Sequence, residues 1–314
     1  MITDFHHLVV SITDQCNLKC NYCFNQYRDK NPTILSVQDI KDIYDKYEPT
    51  LFQLFGGEPT LRWNDILEII DYVVPKMKLL EKQDHIQRHI AINTNGTTNI
   101  DWSSVPKEYQ EYLIVDFSCD GFENMTDKNR GNGTYKKVIE AMKKCKQTNI
   151  HTCMICTRIP EDYLNDNRLE EFIDYLVNDI KIEGFTFSHI LEPHSPNMDK
   201  NVTSQASKES IKLLKQIARK YKGMAKFYID DRTEICSNKA IHIHSNGYIN
   251  PKCVTLKPIV GHWTEWSKKD LIKWLNYCER RNFSCKATNY KAIEDYRKIL
   301  LKLKGDNNDS YSNN

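Results

Sequence analysis

The sequence predicts an α/β protein, a partial (β/α)6 TIM-like barrel with a small C-terminal β-hairpin/α domain. Six short runs of strand character alternate with amphipathic segments whose apolar residues recur every three or four positions. Strands separated by helices pair in parallel through right-handed crossovers. The six units end near residue 192, whereas a closed eight-unit barrel takes about 250 residues, so we expect an open barrel.

The elements of the predicted barrel can be placed along the chain by these two patterns. The predicted strands are HHLVVSIT (6–13), LFQLFGG (51–57), HIAINTNG (89–96), YLIVDFSCDG (112–121), IHTCMICTRI (150–159) and GFTFSHIL (184–191). The predicted helices are SVQDIKDIYDKY (36–47), WNDILEIIDYVVPKMKLLEKQ (63–83), TYKKVIEAMKKCKQT (134–148), NRLEEFIDYLVND (167–179) and SKESIKLLKQIARKYK (207–222).

A smaller unit follows the barrel. The segment KAIHIHSNGYINPKC (239–253) alternates apolar and polar residues about Asn246-Gly247, a strong signal for a hairpin turn. The predicted domains are therefore a barrel over 1–222, a small second domain over 223–304 and a disordered polar tail over 305–314.

Composition excludes several classes of protein. Lys and Arg number 44 against 42 Asp and Glu, which gives no electrostatic footprint for nucleic acid or an anionic membrane. The N-terminus lacks the pattern of a signal peptide, and no window holds 18 uncharged apolar residues, so we expect a cytoplasmic protein. In that reducing compartment, the eleven cysteines are better explained as metal ligands or reactive thiols than as disulfides.

Three of these cysteines fall in the eight-residue stretch CNLKCNYC, as Cys16, Cys20 and Cys23. Structural zinc takes four protein ligands, and no other Cys or His occurs within the next fifty residues. Three thiolates would be an unusual ligand set for catalytic zinc. A four-iron, four-sulfur (4Fe-4S) cluster normally takes four thiolates, so three would leave one iron open for a substrate or cofactor.

The spacing CxxxCxxC, with Tyr22 before its last cysteine, is followed after the second strand by FGGEP, Phe55 to Pro59. Together these motifs resemble the radical S-adenosylmethionine (SAM) superfamily. The resemblance implies a 4Fe-4S cluster whose open iron is chelated by the amino and carboxylate groups of SAM. It also implies that the stretch Gly56, Gly57, Glu58 and Pro59 holds the amino group. Glycines bring backbone carbonyls close to an ammonium, and Glu58 offers a charged acceptor.

Further motifs extend the resemblance through the barrel. Asn93 and Asn95 of INTNG occupy the place where related enzymes contact the sugar and methionine portions of SAM. FSCDG and NRGNGTY resemble the serine and arginine that bind the SAM carboxylate, which implies that role for Ser118 and Arg130.

Strand alternation supports part of this assignment. It predicts that Val115, Phe117 and Cys119 face the helices, whereas Asp116, Ser118 and Asp120 face the barrel interior.

Four downstream cysteines form a second candidate set: Cys236, Cys253, Cys278 and Cys285. With the hairpin, they resemble the opening of the SPASM or twitch extension of radical SAM enzymes, which implies one auxiliary 4Fe-4S cluster. The full SPASM pattern has seven cysteines with a tight later group, so the last two ligands stay open. The alternative for Cys278 is a buried helical cysteine.

Two other pairs are less informative. Cys153 and Cys156 are three apart in a predicted strand, so they point to opposite faces and are not expected to share a metal. One of them could face the cavity and donate a hydrogen atom, although a core or barrel-wall position is favoured. His242 and His244 share one face of the hairpin, and surface or interface polarity accounts for them.

The resemblance implies reductive cleavage of SAM to a 5'-deoxyadenosyl radical that removes a hydrogen atom from a substrate. The favoured substrate is a peptide or protein side chain, modified by oxidation, crosslinking or epimerisation, with a reductant such as flavodoxin or ferredoxin. Only 15 residues precede Cys16, too few for a peptide-recognition domain, which raises an alternative: a dehydrogenase or epimerase of an aminocyclitol or sugar. A further alternative is a non-catalytic iron-sulfur electron-transfer module.

Overall fold

The computed structural model describes residues 6–23, 31–156, 168–187, 208–229, 240–251, 261–280 and 298. The strands in chain order are β1 (His7–Thr13), β2 (Leu51–Gly56), β3 (His89–Thr94), β4 (Leu113–Ser118), β5 (His151–Cys156), β6 (Gly184–Phe187), β7 (Lys226–Ile229), β8 (Ala240–Ile243), β9 (Tyr248–Pro251) and β10 (Gly261–His262). The helices are α1 (Val37–Tyr47), α2 (Trp63–Asp84), α3 (Glu123–Arg130), α4 (Thr134–Cys145), α5 (Arg168–Tyr175), α6 (Lys208–Lys220) and α7 (Lys268–Arg280).

All the described strands belong to one sheet, in the order β10-β9-β8-β1-β2-β3-β4-β5-β6-β7. The pairs from β8 through β1 to β7 are parallel, and only β9 and β10 run antiparallel to their neighbours. Among the described residues, β7 and β10 are the two edges of the sheet and do not pair with each other, as in an open barrel. The predicted α/β class with parallel strands is confirmed.

The predicted strands and helices of the barrel are all present in the described part of the chain, with ends that differ by a few residues. Before the hairpin, the sequence analysis missed one α-helix and one strand: α3 and the four-residue strand β7. β7 is too short to carry a recognisable alternation, and α3 is mostly polar, so neither produces a clear pattern.

The predicted hairpin about Asn246-Gly247 is confirmed, but it is not separate from the barrel sheet. Its first strand, β8, pairs in parallel with β1. Without this pairing β1 would be an edge strand with unpaired backbone groups. Ile241 and Ile243 extend the apolar face of the sheet, and both are fully buried. The domain boundary at residue 222 stays a prediction.

One face of the sheet packs against helices and forms the core. Alternate residues of every barrel strand supply it, as the period of a half-buried strand requires. The strand residues in this core include Leu8, Val10, Ile12, Phe52, Leu54, Ile90, Ile92, Val115, Phe117, Met154, Phe185 and Phe187. The opposite, inward face therefore carries the remaining side chains.

The inward face is filled unevenly. On the β8–β1 side its side chains are buried: Val9, Ser11, His242 and His244. Of the surface or interface position expected for the two histidines, the surface position was wrong; His242 contacts the hydroxyl of Ser11 at 2.7 Å. From β2 to β6 most inward side chains keep partial exposure, and we call this set the open sector: Gln53, Phe55, Asp116, Ser118, Cys153, Ile155 and Thr186.

Candidate active site

The three-cysteine loop, residues 14–23, begins where β1 ends at the carboxyl edge of the sheet. Cys16 is exposed, Cys20 is buried and Cys23 is half-buried. The amide of Cys23 donates to the carbonyl of Cys20 at 3.0 Å, which closes a turn between the last two cysteines. Loops at this edge of a parallel sheet are where α/β proteins place their ligand sites.

The Gly56-Gly57 turn at the end of β2 fixes the entry of this loop. The amide of Gly57 donates to the carbonyl of Thr13 at 2.8 Å, and the amide of Glu58 donates to the carbonyl of Gln15 at 2.7 Å. A Cβ atom on Gly56 would lie 2.1 Å from the Thr13 oxygen, and one on Gly57 would lie 2.2 Å from the Gln15 oxygen. Glycine is therefore required at both positions, because the two backbones meet without room for a side chain.

Glu58 connects the ends of β2 and β3. Its carboxylate is 1% exposed and accepts hydrogen bonds from the Thr94 hydroxyl at 2.8 Å and from the Asn95 amide at 2.6 Å. Glu58 also caps the short 3-10 helix Pro59–Arg62 by accepting from the amide of Thr60. Burial raises the pKa of this carboxyl, and the hydrogen bonds oppose the rise. Contact of the Gly56–Pro59 stretch with the amino group of SAM stays a prediction.

Asn95 joins the end of β3 to the cysteine loop. Its Nδ2 donates to Oδ1 of Asn17 at 2.9 Å and lies 3.9 Å from Sγ of Cys16. Its Oδ1 accepts from the amide of Thr97 at 2.9 Å. Both ends of this side chain are therefore engaged with neighbouring loops, and its predicted contact with SAM stays a prediction.

Asn93 lies lower on β3, in a chain of hydrogen bonds across three strands. The Nε2 of Gln53 donates to Oδ1 of Asn93, and Oε1 of Gln53 accepts from Nε2 of His7 at 2.5 Å. Burial lowers the pKa of His7, so the neutral imidazole is favoured. Asn93 is held in place by this chain, and its predicted contact with SAM also stays a prediction.

A buried charged triad holds the other end of the cysteine loop. Arg130 donates from Nε and Nη2 to the two carboxylate oxygens of Asp120 at 2.9 and 3.0 Å. The hydroxyl of Tyr22 donates to the same carboxylate at 2.8 Å. The side chains of Asp120 and Arg130 are 0% and 5% exposed. Sequence reasoning did not identify Asp120 as the partner of Tyr22 and Arg130. Tyr22 is distant from Asp120 in the chain, and only the fold brings the two side chains into contact.

The predicted role of Arg130 in binding the SAM carboxylate stays a prediction. Two of its nitrogens are committed to Asp120, and Nη1 lies outside that pair. Ser118, at the end of β4, is half-buried on the inward face, and its hydroxyl makes no hydrogen bond to any residue that the structure describes. The face predicted for Ser118 is therefore confirmed: Val115, Phe117 and Cys119 lie in the core opposite.

The cysteine loop offers a donor set that fits an iron-sulfur cluster, because such clusters take cysteine thiolates. Burial raises the pKa of the Cys16 thiol, and that of Cys20 to about 12; each of these pKa values is raised further by the charges of the neighbouring thiolates. Iron would supply the positive charge that three neighbouring thiolates need, with release of their protons. Among the described residues no three His, Cys, Asp or Glu side chains converge in the geometry of a metal site, so cluster binding requires these side chains to adjust.

The predicted auxiliary ligands are not brought together by the described part of the chain. Cys236, Cys253 and Cys285 lie outside the described residues, and Cys278 lies in α7. The auxiliary cluster stays a prediction.

Asp116 and Cys153 face each other across β4 and β5 on the inward face. Burial alone raises the pKa of Asp116 to about 6. Burial, followed by the charge of Asp116, raises the pKa of the Cys153 thiol well above its usual range. Cys156 is 3% exposed in the core, so the expected separation of the two cysteines to opposite faces is confirmed.

These features define a class of protein. The loop of three thiols lies at the carboxyl edge of a parallel sheet, above a partly open inward face. This is the arrangement of a cofactor-binding site in α/β proteins. The chain belongs to the radical SAM superfamily: the family model matches residues 10–176, which include the cysteine loop, the Gly56-Gly57 turn and α3. This family uses SAM and a 4Fe-4S cluster.

Comparison with individual proteins agrees with this family. Mycofactocin maturase MftC of Mycolicibacterium smegmatis is 27% identical over 173 residues, which cover 52% of this chain and 40% of that protein. The match thus spans less than half the length of this curated relative.

Two solved structures show the fold. Native anSMEcpe with bound AdoMet and the Kp18Cys peptide has a TM-score of 0.65 at 17% identity, over 96% of this chain and 99% of that chain. Streptococcus suis SuiB bound to its precursor peptide SuiA has a TM-score of 0.64 at 16% identity, over 95% of this chain and 71% of that chain. The likeness confirms the predicted TIM-like partial barrel. No helix in the described part of the chain has the length and apolar character to cross a membrane.

The first prediction concerns the contact between the Gly56-Gly57 turn and β1. Gly56 and Gly223 both have positive φ, 146° and 89°, but a Cβ on Gly223 meets nothing within 4 Å. Gly223→Ala should cost about 1–2 kcal/mol of backbone strain. Gly56→Ala should cost about 1–3 kcal/mol more, because the new methyl group collides with the Thr13 carbonyl. Urea unfolding measures both, and equal losses would contradict the proposed contact.

A second prediction concerns the charged triad. Arg130→Met leaves the Asp120 carboxylate buried without its cation and should lower the free energy of unfolding by about 3–5 kcal/mol. Tyr22→Phe removes one hydrogen bond and should cost about 1 kcal/mol. The two variants can be compared by urea unfolding at pH 7.5, and a smaller loss for Arg130→Met than for Tyr22→Phe would refute the assignment.

A third prediction concerns Asp116. Its pKa is about 6 in the folded chain against an ordinary value of 3.8, so the ionised carboxylate destabilises the folded state. Asp116→Asn should therefore raise the free energy of unfolding by about 2–3 kcal/mol at pH 8, and the gain should vanish near pH 3.5, where both states bind the proton. Urea unfolding at the two pH values is the measurement.

The matched control for Asp116 is Asp84, whose side chain is hydrogen-bonded to Arg88; this partner holds the pKa of Asp84 below its usual range. Asp84→Asn should lower stability at pH 8, the opposite sign, and this loss should shrink in acid. A less stable Asp116→Asn variant at pH 8 would show that the carboxylate has a partner.

Proposed function

We propose that the chain is a radical SAM enzyme that cleaves SAM reductively and abstracts a hydrogen atom from a peptide or protein side chain. The observation that carries this proposal is the placement of the cysteine loop. It is held at both ends, by the Gly56-Gly57 turn and by Asp120, directly at the edge of a partly open inward face.

In this proposal Cys16, Cys20 and Cys23 hold the 4Fe-4S cluster. When bound, cluster and SAM supply a 5'-deoxyadenosyl radical, given one electron from a reductant such as flavodoxin or ferredoxin. The backbone amide of Leu18 lies 3.4 Å from Sγ of Cys16 and Nδ2 of Asn95 lies 3.9 Å from it, so both are placed to stabilise the charge of this thiolate.

The SAM-binding residues are proposed from the same edge of the sheet. The Gly56-Gly57 carbonyls would bind the amino group, and Ser118 with Nη1 of Arg130 would bind the carboxylate. The Asp120 carboxylate orients the Arg130 guanidinium, because two parallel hydrogen bonds fix its plane. Tyr22 stacks on that guanidinium at 5.5 Å from its ring centre, which excludes water from one side.

The proposed substrate class rests on relatives and on the inward face. MftC is named a maturase, and the structures of anSMEcpe and SuiB contain peptides. The open sector has members on four strands, from Gln53 on β2 to Thr186 on β6, and this spread fits an extended molecule better than a single small group. A peptide side chain that enters from the carboxyl edge would pass the cysteine loop and reach these residues.

We also propose that the second domain, residues 223–304, carries an auxiliary cluster on Cys236, Cys253, Cys278 and Cys285. An auxiliary cluster would accept the electron that an oxidation or crosslink releases. Iron and sulfide analysis distinguishes the cases, since two 4Fe-4S clusters give about eight iron atoms per chain and one gives about four.

A fourth prediction tests the proposed function. Anaerobically reconstituted protein with dithionite should convert SAM to 5'-deoxyadenosine and methionine. Cys20→Ala should abolish 5'-deoxyadenosine formation, because the cluster loses one of its three ligands. Cys145→Ala is the matched control, since Cys145 is a fully buried core cysteine remote in sequence from the loop. Liquid chromatography with mass spectrometry measures both products.

Three outcomes would redirect the assignment. A wild-type protein that holds the cluster without cleaving SAM would be an electron-transfer module. SAM cleavage that is stimulated by aminocyclitols or sugars and not by peptides would favour the small-molecule alternative. Equal activity of Cys20→Ala and Cys145→Ala would refute the cysteine loop as the cluster site.

A further inference from the structure

Three side chains of neighbouring strands form one row across the inward face: Asn93 on β3, Asp116 on β4 and Cys153 on β5. The register of the sheet pairs Asn93 with Asp116 and Asp116 with Cys153. In parallel strands such partners lie side by side, about 5 Å apart. Asp116 and Cys153 belong to the open sector, so this row is accessible from the inward face.

Asp116 makes no hydrogen bond to any residue that the structure describes, and no cation among those residues lowers its pKa, which burial raises. Its neighbours do not compensate the charge. Asn93 accepts from Gln53 and makes no hydrogen bond to Asp116, and the high pKa of Cys153 keeps that thiol neutral. By contrast, the buried carboxylates of Glu58 and Asp120 accept several hydrogen bonds each.

A largely desolvated carboxylate without a partner is rare, because desolvation disfavours the charge unless a cation or several donors offset it. On an accessible inward face, the desolvation cost of such a carboxylate can be offset by a bound molecule. An ammonium or guanidinium group relieves it best, since a charge-assisted hydrogen bond is about twice as strong as a neutral one.

The depth of the row favours the substrate as the source of that cation. Asp116 lies two residues before Ser118 on β4, which places it about 6–7 Å deeper than the strand end where the cysteine loop and the proposed SAM contacts lie. A molecule that reaches Asp116 must therefore extend below that edge.

Resting on the proposed function above, we propose that Asp116 is a substrate-binding residue that pairs with a cationic group of the substrate. The group is an ammonium or guanidinium, such as the side chain of a lysine or arginine in a peptide. Asn93 lies on one side of this group and Cys153 on the other, and together the three define a subsite on the floor of the open sector.

The test compares two probes that differ only in charge, Nα-acetyl-lysine methylamide and its Nε-acetylated form. Binding to the reconstituted, SAM-loaded protein is measured by saturation-transfer NMR. The wild type should bind the cationic probe at least about tenfold more tightly than the neutral one. Asp116→Asn should abolish this preference, and Asp116→Glu should retain part of it.

The charge-matched control is Glu140→Gln, which removes a carboxylate from the exposed face of α4 and should keep the full preference. If Asp116→Asn does not fold, as judged by circular dichroism, Asp116→Leu replaces it. A wild type that binds both probes equally, or an Asp116→Asn variant with an unchanged preference, would overturn the proposal.

A parallel measurement of SAM affinity separates the two possible sources of the cation. If Asp116→Asn weakens SAM binding while the probe preference persists, the cation belongs to SAM and the proposal is wrong. Failure of the proposed function appears elsewhere, as a wild type that forms no 5'-deoxyadenosine; a charge preference that depends on Asp116 would still establish the subsite.

Discussion

The close approach of two backbones at the carboxyl edge of the sheet is the constraint on which the candidate site depends. Residues 13–15 and residues 56–58 meet through two amide-to-carbonyl hydrogen bonds of 2.7–2.8 Å, at a separation that excludes any Cβ atom. This contact fixes where the cysteine loop leaves β1. The position of the loop relative to the inward face therefore depends on backbone geometry more than on the cysteine side chains themselves.

Two buried carboxylates connect the neighbouring elements to this backbone contact. Glu58 connects the ends of β2 and β3, and Asp120 connects Tyr22 in the cysteine loop to Arg130 in α3. Each accepts enough hydrogen bonds to offset its burial. The same edge of the sheet therefore holds the loop and carries the residues proposed to contact SAM, and Arg130 belongs to both sets.

The two sides of the inward face differ in how they are filled. On the side of β8 and β1 it is filled by Val9, Ser11 and two histidines, and Ser11 is hydrogen-bonded to His242. From β2 to β6 it stays partly open, and no cation of the described residues lies beside the half-buried carboxylate of Asp116. The filled side stabilises the sheet through packing, whereas the open side retains polar groups whose desolvation is uncompensated. Such uncompensated groups are typical of binding sites, where stability is exchanged for function.

The sequence by itself determined the α/β class, the order of the barrel elements, the face of Ser118 and the family motifs, because strand alternation, helical spacing and cysteine spacing are local properties. Tertiary structure alone decided that β8 joins β1, that Asp120 pairs with Tyr22 and Arg130, and that Asp116 has no partner among the described residues. These facts depend on contacts between residues far apart in the chain, and local patterns carry no information about which distant groups meet. The charge balance of each carboxylate is therefore set by the fold, not by its neighbours in sequence.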